Sequence, residues 1–186
     1  QALLYALDRP TMVKQIKYGL STVGVGTMPV ASWAYQPDKI TMKYEYDPKK
    51  AAQLLDDAGW KPGADGIRMK DGKRLAFDLW SYSGQKINDQ YMLVMQESWK
   101  AVGADMQIKT EEFSVFVDRI TKSFDFDICI LGFSWGVDPD QTAMWDSKQH
   151  TTGFNSFDYK NPMVDMLLDQ GTHTLDQAKR KTIYTD

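Results

Sequence analysis

Asp138, Asp140 and Asp146, with the pairs Glu111–Glu112 and Asp125/Asp127, are the residues best suited by type to acid–base or metal chemistry. Paired carboxylates can divide general-acid and general-base work, and oxygen-rich loops hold calcium. A calcium loop begun at Asp138 would need glycine at its sixth place and glutamate at its twelfth, where Ala143 and Gln149 stand. Asp138-Pro139-Asp140 fits better as a turn that caps the next segment of chain. Asp125 and Asp127 flank a strand start, where charge marks a solvated edge. His150 and His173 lie in polar stretches and read as solvated surface residues. Cys129 sits among aliphatics, where a thiol is inert filling; as the only cysteine it excludes a disulfide within the chain. Gly24-Val25-Gly26 follows a helical pattern and precedes Pro29, so it does not open a dinucleotide-binding helix. No GKS or GKT loop occurs; Gly132-Phe133-Ser134-Trp135-Gly136 has GxSxG spacing, but no nucleophile–base pair accompanies it.

What remains is the chemistry of contact, concentrated in Phe124–Asp140, FDFDICILGFSWGVDPD. Ile128-Cys129-Ile130-Leu131 reads as a short, fully buried strand ended by Gly132. Phe133, Ser134 and Trp135 come immediately after it. Ligands of open α/β sheets bind beyond the carboxyl ends of such strands. Aromatic residues make up 12% of the chain, with six tryptophans, several of them in loops or at strand ends (Trp33, Trp80, Trp135, Trp145). Such rings provide large, rigid contact area.

The elements that position this stretch alternate. Ala2–Asp8 reads as the tail of a helix. Thr11–Tyr18 is a second, with Met12, Val13, Ile16 and Leu20 on one face and Gly19 as its stop. Residues 21–46 lack a period and are expected to wrap the surface or line a cleft. Asp47-Pro48 caps and starts a helix bearing Ala51, Leu54, Leu55 and Ala58. Residues 61–73 read as a hairpin-like excursion turning at Asp71-Gly72. Leu75, Phe77 and Leu79 alternate as a strand. A long helix over 88–102 carries a Tyr91, Met95, Trp99, Val102 stripe. Met106 and Ile108 alternate next, and Phe113, Phe116, Val117 and Ile120 form a short amphipathic helix. Asn161-Pro162 caps another helix, and Thr174 with Gln177 suits a capping box for the last. Strand–helix–strand–helix–strand predicts βαβ units, with the loops after Trp80, Thr110 and Leu131 at one edge.

Composition narrows the classes further. With 42% hydrophobic and 25% charged residues, an ordinary folded core is expected. The 22 basic and 25 acidic residues are interspersed, so no basic stripe favours nucleic acid. No apolar run approaches the ~20 residues that span a bilayer. QALLYALDR is already on a helical period, and AKRKTIYTD is still helix-like at the close. A fragment of a longer protein is expected.

QALLYALDR, YDPKKAAQLLDDAGW, GIRMKDGKRL, KAVGADMQI, EEFSVF, FDFDICILGFSWGVDPDQ, GFNSFDYKNPMVDMLL and DQAKRKTIY occur in that order. Together they resemble the C-terminal lobe of the extracytoplasmic solute-binding proteins of family 5, the dipeptide- and oligopeptide-binding components of ABC importers. The resemblance covers essentially residues 1–186 as a single ligand-binding domain. It implies an α/β fold, a mixed β-sheet flanked by helices, as in the C-terminal lobe of a type II periplasmic-binding-protein-like fold. It also implies an N-terminal lobe of the same protein, a peptide or other small organic solute held between the lobes, and docking on a membrane permease. Catalysis, cofactors and metals are not implied. The location would be periplasmic or extracytoplasmic, membrane-associated through the transporter.

By the same resemblance, Phe113 matches a position where members often place a ligand-facing tryptophan. Phe133 and Ser134 match the tryptophan of the family's Gly-Trp pair and the residue after it, and Trp135 and Gly136 continue the loop. Peptide-binding members commonly place an aspartate for the peptide amine where this chain has Gly136, and the nearest acid is Asp138. A basic residue sometimes used for the peptide carboxylate is replaced by Ile130. Phe113, Phe133 and Trp135 would then favour an apolar peptide, an oligosaccharide or another organic solute. Two other readings are a sensor or interaction domain on the same fold, and a hydrolase using acids near Asp138.

Overall fold

Asp47 and Pro48 begin the best-marked helix of the chain. The Asp47 carboxylate accepts from the Lys50 amide at 2.9 Å, and proline occupies the first position, where its missing N–H costs nothing. The computed structural model describes all residues, 1–186. They fall into two compact units, one of Gln1–Val23, Lys43–Phe116 and Phe126–Leu131, the other of Gly24–Met42, Val117–Asp125 and Gly132–Asp186.

The first unit contains helices α1 (Ala2–Tyr5), α2 (Arg9–Ile16), α3 (Pro48–Asp57) and α4 (Lys86–Ala101), and the start of α5 (Phe113–Asp118). Its strands are β1 (Lys61–Pro62), β2 (Arg68–Lys70), β3 (Lys73–Arg74), β4 (Ala76–Tyr82), β5 (Asp105–Glu111) and β6 (Ile128–Cys129). The βαβ expectation holds, because β4 lies between β5 and β6 and runs parallel to both. Their carboxyl ends therefore share one edge. β1–β3 form a separate antiparallel sheet, turning at Asp71 and Gly72, whose φ of 50° and 75° suit the two-residue hairpin read from the sequence.

Ala51, Leu55, Leu79, Met92, Trp99, Ala104 and Met106 form the buried core with Ala6, Leu7, Met12 and Ile16. Phe77 packs edge-on against Trp99 at 5.6 Å, and the Trp99 indole N–H donates to the Leu3 carbonyl at 2.8 Å. Burying one such ring contributes about 1.5–3 kcal/mol.

Three local expectations are corrected. Helix α2 stops at Ile16, and positive φ at Tyr18 and Gly19 turns the chain away, so Leu20 is 86% exposed rather than on the apolar face. On α4 the deepest residues are Met92 and Trp99, seven apart, while Tyr91 and Met95 are half-buried at the margin of the stripe. Strand β6 is two residues long and half-buried, because it pairs only with β4.

The second unit contains α6 (Thr142–Trp145), α7 (Pro162–His173) and α8 (Gln177–Ile183). Asn161 caps α7 as expected, accepting from the Met163 amide at 3.0 Å. Asp176 caps α8 through the Lys179 amide at 2.8 Å, in place of the expected Thr174–Gln177 box. A carboxylate directly before the helix reaches the first-turn donors better than Thr174 can. No helix is long and apolar enough to cross a membrane.

Candidate functional site

Residues 132–137 come after β6 in sequence and belong to the second unit. They form neither helix nor strand. Phe133 is 40% exposed. Its ring lies 6.0 Å from that of Trp135 and meets Phe154 edge-on at 5.5 Å. Ser134 and Gly136 are exposed, Trp135 is half-buried, and nothing stands within 4 Å of where a side chain on Gly136 would begin. Among the sequence candidates, Phe133, Ser134, Trp135 and Gly136 thus share one aromatic, solvent-facing loop. Phe113 is placed in the first unit at the start of α5, 51% exposed, with its ring edge-on to Tyr82 at 4.9 Å.

Asp138 ends the loop differently. Its two oxygens accept from both terminal nitrogens of Arg180 at 2.8 and 2.9 Å, and one also accepts from the Asp140 amide at 3.0 Å. The Arg180 guanidinium holds the Asp138 carboxyl below the usual carboxylate range. Asp140 accepts from the Thr142 amide at 2.9 Å, at the entry to α6. Turn formation and capping, read from Asp-Pro-Asp, are what these residues do.

Four of the other candidate carboxylates are likewise engaged in structure. Asp125 pairs with Arg119 at 2.8 Å, and Asp127 accepts from the Asp78 amide at 3.0 Å. Glu112 accepts from the Ser114 amide at 2.8 Å, and Asp146 from the Lys148 amide at 2.7 Å. No group of three or more His, Cys, Asp and Glu side chains is arranged to hold a metal. Burial pushes the Cys129 thiol up to about 11, so it is protonated at neutral pH. His150, expected on the surface, is half-buried. It stacks on Phe124 at 4.1 Å, and its Nδ1 lies 2.9 Å from the Asn155 carbonyl.

Asn155 organises residues 146–159. Fully buried, it donates to the Asp146 and Tyr159 carbonyls at 3.1 and 2.8 Å and accepts from the Tyr159 amide at 2.9 Å. The aperiodic 21–46 segment contributes Met28, Tyr35 and Ile40 to a cavity of about 460 Å³ in the second unit, also walled by Trp145, Leu168 and Tyr184. None of the loop candidates lines it. Sequence reasoning missed Arg180, because nothing in AKRK distinguishes one basic residue from its neighbours.

The chain matches the family described as bacterial extracellular solute-binding proteins, family 5 Middle, over residues 1–155. It is 35% identical over 186 residues to the oligopeptide-binding protein AppA of Bacillus subtilis, covering 99% of this chain and 34% of that protein. Among solved structures, AppA from Bacillus subtilis in complex with a nonapeptide has a TM-score of 0.90 at 34% identity, covering 99% of this chain and 37% of that one. NikZ from Campylobacter jejuni in complex with Ni(L-His) has a TM-score of 0.87 at 29% identity, covering 99% and 37%. The chain therefore spans about a third of the length of these relatives. They are binding proteins rather than enzymes, and their fold matches the expected arrangement of sheets flanked by helices. The chain belongs to the bacterial extracellular solute-binding proteins, family 5.

Proposed function

We propose that this chain is the C-terminal ligand-binding lobe of a substrate-binding component of an ABC importer. It captures a peptide or similar organic solute without catalysis. The observation that carries this reading is the ring pair of Phe133 and Trp135 on a solvent-facing loop, with Phe154 of the 146–159 segment edge-on to Phe133 and the loop's flanking Asp138 and Asp140 engaged in structure. Phe133, Ser134, Trp135 and Gly136 are the loop residues proposed to face the solute, with Asp138 at the loop's end, and Phe113 is a further proposed ligand-binding residue. An N-terminal lobe of the same protein supplies the opposite wall, and a membrane permease receives the loaded protein outside the cytoplasm. A nonapeptide and a nickel–histidine complex are bound by the two structural relatives, which makes both the first solutes to try.

Thermal unfolding of the full-length protein against mixed peptides, oligosaccharides and nickel–histidine tests the reading. A solute at a hundred times its Kd adds about 2.7 kcal/mol of stability. Isothermal titration with the solute found should then lose affinity in Trp135→Ala. No stabilisation by any member of that panel would sink the proposal.

A further inference from the structure

Arg180 makes more contacts of recognisable purpose than any loop candidate. From α8 its Nε donates to the Gly171 carbonyl on α7 at 2.8 Å. Its two terminal nitrogens donate to the two oxygens of Asp138, and one also to the Tyr184 hydroxyl at 3.2 Å. The guanidinium carbon sits 5.7 Å from the Trp33 ring centroid and 5.4 Å from that of Tyr184. The side chain is only 15% exposed, so water competes weakly for these donors. A planar fork with fixed donors matches a carboxylate in two places at once, which a lysine ammonium cannot do.

On the other side of this pair the chain has little to hold it. Residues 132–137 have no backbone hydrogen bond, and Val137 is almost fully exposed. The first firm anchor after Trp135 is Asp138, three residues on, and that anchor is held by Arg180. A loop without a ladder of its own takes its conformation from its fixed ends.

We propose that Arg180 is a positioning residue for solute recognition, setting the placement of Phe133 and Trp135 through its two-pronged bond to Asp138. The inference rests on the reading of that loop as solute-facing. It adds a specific consequence: the loop's affinity for a solute is set from α8, by a residue far along the chain that touches no solute.

The test uses the full-length protein labelled with 5-fluorotryptophan, the Trp135 fluorine resonance being assigned by its disappearance in Trp135→Phe. In Arg180→Met that resonance should move and broaden while that of Trp99, in the first unit's core, stays. Arg180→Lys should restore the charge without restoring the resonance. Affinity for an apolar nonapeptide should fall about tenfold in Arg180→Met, the scale on which groups supporting a site act. Asp138→Asn, nearly isosteric and able to fold where an α8 variant fails, should shift the same resonance. The double variant should be no worse than the worse single one. An unmoved Trp135 resonance in Asp138→Asn, or a moved one with unchanged affinity, would overturn the proposal. Failure of the unmodified protein to bind the nonapeptide or any other solute of the panel would strike the binding reading, while the fluorine experiment still judges Arg180.

Discussion

A methyl group on Gly171 would stand 2.6 Å from Cζ and 2.7 Å from the hydroxyl of Tyr184. The glycine lies inside α7, and the tyrosine ring fills the space its missing side chain leaves. Gly171→Ala must therefore swing the ring away, which a tyrosine tip can do, and the Tyr184–Arg180 hydrogen bond is lost with it. The expected outcome is a folded protein whose melting temperature changes little, alanine's better helix propensity offsetting the lost contact. Gly103 makes the contrast. Its φ is +87°, and a Cβ there would meet the Gly66 carbonyl oxygen at 2.9 Å. Gly103→Ala should cost about 2 kcal/mol or more in urea unfolding, from left-handed strain and backbone crowding together.

Arg68 should be the costliest single side chain to remove from the first unit. It is buried and donates to the carbonyls of Val102 at 2.8 Å and Trp60 at 2.7 Å, and to Asp56 at 2.8 Å. Arg68→Met fills the space but leaves two carbonyls without donors, a loss of about 2–4 kcal/mol. Asp56→Asn, at the exposed end of the same pair, should cost far less. Equilibrium denaturation of the two variants side by side decides this; equal losses would show that the carbonyl contacts are dispensable.

The Asp138–Arg180 pair has a defined response to acid. Its folded carboxyl titrates below the usual value, chiefly because Arg180 donates to it. The pair's contribution is therefore complete above the ordinary carboxylate range near ~4 and is lost as pH falls through the lower folded value. Trp135 fluorescence and solute affinity should stay level from about pH 5.5 to 8 and change only below about 4. Subtracting the Asp138→Asn titration separates this step from Asp56, Asp65 and Asp158, whose carboxyls are also lowered by basic partners. A midpoint near neutrality would contradict the assignment.

Gly136 stands in open space without a positive φ, so an aspartate there should fold normally. On the proposed function, Gly136→Asp adds an acid to the aromatic loop that Arg180 does not already hold. Peptides with a free amino terminus should gain affinity over their N-acetylated forms by about fivefold, the scale of a partly exposed charge pair. Competition between the two peptide forms measures it directly, and an unchanged ratio would remove Gly136 from the solute-facing set.

Local physics made much of the fold legible. Asp47-Pro48, Asn161-Pro162 and Asp71-Gly72 act within a few residues, so their spacing alone carries the helix starts and the hairpin. The alternation of β4 and β5 with α4 is likewise written in apolar periodicity. What stayed hidden depends on partners far along the chain. β6 reads as fully buried because Ile128–Leu131 is apolar, but burial depends on how many strands flank it. Asp138 reads only as a turn residue and the acid nearest Gly136, its ion pair unseen, because Arg180 lies 42 residues away. Leu20 reads as core by period because the backbone turn at Tyr18 and Gly19 leaves no mark in that period.

Cys129 offers one practical consequence. It is the only thiol, set in a two-residue strand bonded along one side. With its pKa pushed up to about 11 by burial, little of the protein carries a thiolate at pH 8, and alkylating reagents attack only that form. Labelling is then slow in the folded chain and should quicken when β6 lifts from β4. The chain carries its own stopwatch for fraying of that edge, and a bound solute that slows the labelling clock would register without any added dye.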